Sequence, residues 1–179
     1  MTQDDPSFES RYPKHARLRD GTAVVVRPIG PQDAEREQAF VRALSPESRY
    51  FRFMNTLREL SADMLEEFTH PDPAREIALV ALAGAPQAEQ QIGVARCVKG
   101  APGRSAEFAI VVADAWQGKG LGRLLMRELM DAARAAGVKQ LEGWVLASNH
   151  AMLDLMLALG FEVHPALEDA RMRHVVRAI

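Results

Sequence analysis

Trp116-Gln117-Gly118-Lys119-Gly120-Leu121-Gly122-Arg123 places three glycines on alternate positions between an apolar run and a long amphipathic segment. Glycine costs roughly 1 kcal/mol against alanine inside a helix, so local structure alone gives no reason for three. Lacking Cβ atoms, they let a ligand reach the backbone. Successive amides at a helix start point outward, with the positive end of the helix dipole behind them. That chemistry is a cradle for phosphate. A P-loop would need Ser or Thr after Lys119, and the dinucleotide fingerprint would need glycine where Arg123 stands; neither pattern is met. Glu142 has the offset of a ribose-binding acid, but it falls inside its strand and not at the carboxyl end.

Other reactive side chains are sparse. Cys97 is the sole cysteine, which excludes an intramolecular disulfide and a cysteine zinc site; in an apolar strand it reads as a small buried hydrophobe. His15, His70, His150, His164 and His174 show no metal-ligand spacing, and no metal is expected. Glu107 and Glu76 are strand carboxylates, open to reading as a general base or as an ion-paired surface group. Asp114 reads as a turn residue. Arg49, Arg52 and Arg58 interleave with Tyr50, Phe51 and Phe53, but aromatics at helical spacing normally face a core and the arginines between them water. Nucleic-acid binding is therefore not expected.

These groups need elements to hold them. The chain of 179 residues is 47% apolar and carries a formal charge of -2, from 22 basic and 24 acidic residues. One domain with a real core fits that length, and nothing in the charge attracts nucleic acid or an anionic membrane. No apolar run approaches the roughly 20 residues of a membrane span, and residues 1–15 lack a signal-peptide core, so a cytoplasmic location is expected. Residues 1–17 read as an N-terminal arm, and 18–179 as one catalytic-sized domain. Strands are expected at Thr22 to Arg27, Ile77 to Ala83, Gln91 to Val98, Glu107 to Ala113, Lys139 to Leu146, Phe161 to His164 and Arg171 to Ala178. The second and third should pair antiparallel. Helices start near Pro31, Ser45, Ser61, Leu121 and Asn149, with Gly137 and Gly160 as stops. The strand, helix and strand around the glycines predict a right-handed parallel crossover.

Gln117-Gly118-Lys119-Gly120-Leu121-Gly122 resembles the acetyl-coenzyme A pyrophosphate loop of the GNAT family of N-acetyltransferases. Asn149 to Phe161, NHAMLDLMLALGF, is similar to a second family pattern, with Met156 where a proton-donating tyrosine usually stands. The likeness is closest to the bacterial protein lysine acetyltransferases and to the GNAT domain fused to ADP-forming acyl-CoA synthetases. It runs through Tyr12-Pro13-Lys14-His15, Leu18-Arg19-Asp20-Gly21, Arg27-Pro28-Ile29, Leu44 to Tyr50, Arg52-Phe53 and Ala106-Glu107-Phe108. The resemblance implies an α+β GNAT fold: a mixed, mostly antiparallel sheet of six to seven strands flanked by about four helices.

The same resemblance implies acetyl-CoA as co-substrate, held by Gln117, Gly118, Lys119, Gly120, Leu121, Gly122 and Arg123 at its pyrophosphate. Backbone amides around Val111 and Val112 would hold the pantetheine arm and the acetyl carbonyl, Asn149 would lie beside that arm, and Glu107 would be the general base. The helices after Ser45 would shape the acceptor site. The implied acceptor is a protein lysine, with an acyl-CoA synthetase as a candidate partner and direct transfer in a ternary complex. A small-molecule amine as acceptor, and a catalytically silent coenzyme A sensor, are the alternatives.

Overall fold

The structure, a computed structural model, describes residues 8–179. Eight strands form one sheet: β1 (Lys14–Arg17), β2 (Ala23–Pro28), β3 (Glu76–Ala83), β4 (Gln90–Lys99), β5 (Ser105–Val112), β6 (Gln140–Leu146), β7 (Glu162–Pro165) and β8 (Met172–Ala178), in the order β1-β2-β3-β4-β5-β6-β8-β7. All neighbours are antiparallel except β5 and β6. Helices α1 (Ala34–Ala43), α2 (Pro46–Phe53), α3 (Ala62–Thr69), α4 (Leu121–Ala135) and α5 (His150–Ala158) complete the domain. The mixed, mostly antiparallel architecture follows the expectation, with one strand and one helix more than the stated tally. The added strand, β1, lies in the region expected to be an arm; residues 1–7 of that arm lie outside the described residues.

Two apolar layers sandwich the sheet. On one face Leu121, Leu125, Leu129 and Ala133 of α4 pack with Leu79, Ala95 and Cys97, while on the other Phe40 and Val41 of α1 pack with Val80, Val94 and Val111. Leu79 and Val80 are both fully buried, because β3 is covered on both sides and its continuous apolar run serves both layers. The entry to α1 is pinned electrostatically. Asp33, with no exposed surface, receives both terminal nitrogens of Arg27 at 2.7 and 2.6 Å and the Gly30 amide at 3.0 Å. Burial pushes the Asp33 carboxyl up, but these donors outweigh it and hold the group below its ordinary value.

Helix punctuation follows the local chemistry. Ser45, Ser61 and Asn149 accept from the amides of Ser48, Met64 and Met152 as N-caps. Gly137 and Gly160, at φ +84° and +79°, supply the left-handed residue after α4 and α5.

The one parallel pair is short. Ser105, Ala106 and Glu107 stand opposite Gln140, Leu141 and Glu142, and no further β5–β6 pairs form although both strands continue. Phe108 begins the divergence: its ring lies over Gly143 and packs against Phe161 with centroids 5.3 Å apart. A Cβ on Gly143 would fall 2.9 Å from that ring. Gly143→Ala is therefore expected to destabilise the fold by about 1–3 kcal/mol, and Phe108→Leu in the same chain should recover part of the loss. Urea denaturation of the two single variants and the double variant checks this; strictly additive losses would show that the ring is not the obstacle.

Candidate active site

Where β5 and β6 part, a cleft of about 580 Å³ opens between them. Its floor is the β5 backbone from Phe108 to Val112. One end is the glycine loop; the walls are α2 and the start of α5, with Trp144 and Val145 of β6. The Ala113 amide donates to Ile92. By the alternation of an antiparallel ladder, Val111 then faces β4 while Ile110 and Val112 turn their backbone groups to the gap. The Val112 carbonyl is taken by Gln117 Nε2 at 3.2 Å, which leaves its amide directed into the cleft.

The glycine loop is built to meet an anion. Gly118 and Gly120 have φ +74° and +93°, conformations that L side chains rarely adopt. Among the described residues, none of the amides from Gly118 to Arg123 has a protein acceptor; the first one satisfied is that of Leu124, which donates to Gly120. These donors sit at the N-terminus of the 15-residue α4. A Cβ at Gly122 would press on Leu155 at 3.1 Å and narrow the cradle. A pyrophosphate fits this donor set by charge and by the room the glycines leave.

Of the residues singled out from the sequence, Val111, Val112, Gln117, Gly118, Gly120, Gly122, Arg123 and Asn149 line the cleft. Leu121 is 1% exposed and serves the core. The Lys119 ammonium is tied to Asp20 at 3.1 Å and sits over the Trp116 ring, so that residue offers its amide. Asn149 Oδ1 is occupied as the α5 cap. Glu107 is exposed, lies just outside the cleft lining and shares a sheet face with Ala109 and Val111. Its neighbour across the parallel pair is Glu142, which bonds His174 Nε2 at 3.0 Å, so Glu142 has a partner inside the sheet. Met156 is fully buried in the core.

Three participants were not legible in the sequence. Arg19, in the β1–β2 turn, lines the cleft and lies 3.5 Å from where a Gly120 Cβ would stand. With Arg123 it adds positive charge around the free amides. Arg52 of α2 lines the opposite wall. Asp114, read from the sequence as a turn residue, is a fastener. Its carboxylate accepts from the Ser45 amide at 2.9 Å, the Ser45 hydroxyl at 2.7 Å and the Ser48 hydroxyl at 2.7 Å, across 69 residues of chain. It joins the start of α2 to the segment leading into the glycine loop.

Burial pushes the Asp114 carboxyl up, and the Ser45 and Ser48 donors overcome this to hold it below its ordinary value. A depressed carboxyl contributes stability above its unfolded pKa of about 3.9 and loses it as pH falls through the folded value. Asp114→Asn should thus be less stable than the native chain at neutral pH, with the two converging as pH falls below about 3.9. Urea melts across that range check it, and a constant gap at every pH would refute the ionic contribution.

Comparison with known proteins agrees with this geometry. A profile described as the Acetyltransferase (GNAT) family matches residues 40–161. Acetyltransferase PA5475 of Pseudomonas aeruginosa is 38% identical over 144 residues, 80% of this chain and 77% of that protein. Acetyltransferase Pat of Mycolicibacterium smegmatis is 34% identical over 149 residues, covering 83% of this chain but only 44% of its own. The crystal structure of the GNAT domain of S. lividans PAT superposes with a TM-score of 0.88 at 30% identity, over 95% of this chain and 98% of that one. The glycine cradle, the parted strands and these relatives together show that the chain belongs to the GNAT family of acetyltransferases.

Proposed function

We propose that the protein transfers the acetyl group of acetyl-CoA to a lysine side chain of a protein, with Glu107 as the proton acceptor. The observation that carries the reading is the cleft: free amides for a pyrophosphate at one end, a parted sheet in the middle, and a carboxylate on the adjoining sheet face. Gly118 to Arg123 would hold the pyrophosphate, with Gln117 bracing the loop through Val112. The backbone of Ile110 and the Val112 amide would lie along the pantetheine arm and polarise the acetyl carbonyl, the Val111 backbone being turned to β4 contrary to expectation, and Asn149 would set the α5 end of the same wall.

A lysine amine has a pKa near 10.4 and is almost wholly protonated at neutral pH, so a route for its proton is valuable. Glu107, exposed beside the cleft, takes that proton through water as the amine nitrogen bonds to the thioester carbon and the carbon–sulfur bond breaks. The thiolate departs without help from Met156, which has no proton to give. Cys97 is not a relay. It is fully buried, and burial pushes its thiol up to about 12, which keeps it protonated and favours direct transfer. No helix among the described residues is long and apolar enough to cross a membrane.

Donor binding is tested first. At 100 times its dissociation constant, acetyl-CoA adds about 2.7 kcal/mol, which should raise the melting point by about 5–11 °C for a chain of this size. Gly120→Glu should abolish the shift by filling the cradle with a like charge. A retained shift would mean that the loop does not bind the donor.

Transfer is read with isotopically labelled acetyl-CoA in a bacterial lysate. Label on protein lysines is expected, with Glu107→Gln slower by about 10²–10⁴-fold in kcat while the donor-induced melting shift persists. Label confined to small amines would overturn the protein acceptor, and an unimpaired Glu107→Gln would remove Glu107 from the chemistry.

A further inference from the structure

We propose that Arg52 recognises a carboxylate that the acceptor carries close to the amine being acetylated. The inference rests on the acetyl-transfer reading of the cleft but not on whether the acceptor is a protein. Arg52 projects from α2 into the cleft wall. Its level in the site follows from the sheet register. Arg52 lies near Arg96, whose charge acts on it, and Arg96 is paired with Ala109, two residues beyond Glu107 on the same face of β5. Arg52 therefore stands beside the stretch of β5 between Glu107 and Val112, where the acceptor amine must arrive. The donor's phosphates have their own cations, Arg19 and Arg123, around the glycine loop.

The guanidinium lacks an acceptor of its own. Among the described residues it makes no hydrogen bond or ion pair, and its neighbours are ring faces: Phe53 at 5.0 Å and Phe68 at 5.7 Å. Four other buried or half-buried arginines each have at least one acceptor. Arg27 is held by Asp33, Arg49 by the carbonyl of Arg42, Arg96 by that of Phe68, and Arg177 by that of Leu159. Glu37 is the nearby buried acid, at 2% exposure, but its carboxylate is engaged by Gln91, and burial raises its pKa towards the neutral form.

Arg96 adds a second guanidinium over the Phe68 ring, at 4.3 Å, with a buried Nε that has no partner. Burial first, and the charge of Arg96 second, lower the Arg52 pKa to about 10. A desolvated cation beside a second cation is relieved by an anion, and a carboxylate matches the planar fork of arginine bidentately. Glu47, exposed on the same wall, is the one carboxylate of α2.

Two sources share this chemistry: an acidic residue flanking a target lysine, and the α-carboxylate of a small amino acid. Two pairs of acceptors distinguish them. One pair is single-lysine peptides whose flanking residue is Asp or Ala. The other is free lysine against cadaverine, which differ only in the carboxylate.

In whichever pair is acetylated, the carboxylate-bearing member should be favoured about tenfold or more in kcat/KM. Arg52→Gln should bring that ratio close to one, and Arg52→Lys should retain part of it. The donor-induced melting shift of each variant reports that the fold is intact. A ratio near one in the native chain, a ratio unchanged in Arg52→Gln, or no turnover of either carboxylate-bearing acceptor overturns the proposal. Acetylation of the small acceptors alone would defeat the protein-lysine reading while still measuring Arg52.

Discussion

The arrangement depends on a parallel strand pair that is allowed to fail. A sheet normally satisfies its backbone groups strand against strand, and leaving a central pair open exposes donors and acceptors that water or a ligand must meet. Here the ladder between β5 and β6 stops after Glu107 and Glu142, and Phe108 fills the fork over a residue with no side chain. Beyond that point the two strands become the banks of the cleft. The long α4 follows from the same divergence: it leaves the far end of β5, crosses the α4-side face and returns to β6, so its N-terminus lies at the cleft's open end. Strand, gap and helix dipole are one construction.

A second tie connects the two halves of the site. Ser45 and Ser48 belong to α2, whereas Asp114 belongs to the turn before the glycine loop. Gln117 extends the network from Ser48 to the Val112 carbonyl. The wall that shapes the acceptor and the loop that cradles an anion thus share hydrogen bonds, and displacement of either is felt by the other. The polar groups are few, but each is matched, as buried or bridging networks must be to avoid desolvation cost.

The glycine loop could be read directly because its purpose is local: three glycines, a helix start and missing side chains carry their meaning within eight residues. The helix caps and seven of the strands were legible for the same reason. β1 was not, because Lys14–Arg17 alternates half-buried Lys14 and Ala16 with exposed His15 and Arg17, as an edge strand does, and resembles an unstructured arm. The tertiary contacts of Asp114 and Arg52 were not legible, for a different cause. Their partners, Ser45 for one and the rings of Phe53 and Phe68 for the other, are selected by the tertiary fold, and no spacing rule joins Ser45 to Asp114. Phe108 and Gly143 likewise each look ordinary alone; only the parallel register makes them a wedge and its seat.

Strand order differs from chain order at one place: β8 is inserted between β6 and β7. Strand β7 has no pairing partner except β8, so it cannot join the sheet when it is synthesised and must wait for the segment after it. Until then the outer flank of β6, which bears Trp144 and forms one bank of the cleft, is an unpaired edge. The geometry of the cleft is consequently fixed by a pairing between residues separated by about thirty positions, a longer reach than any pairing within the β3–β5 meander.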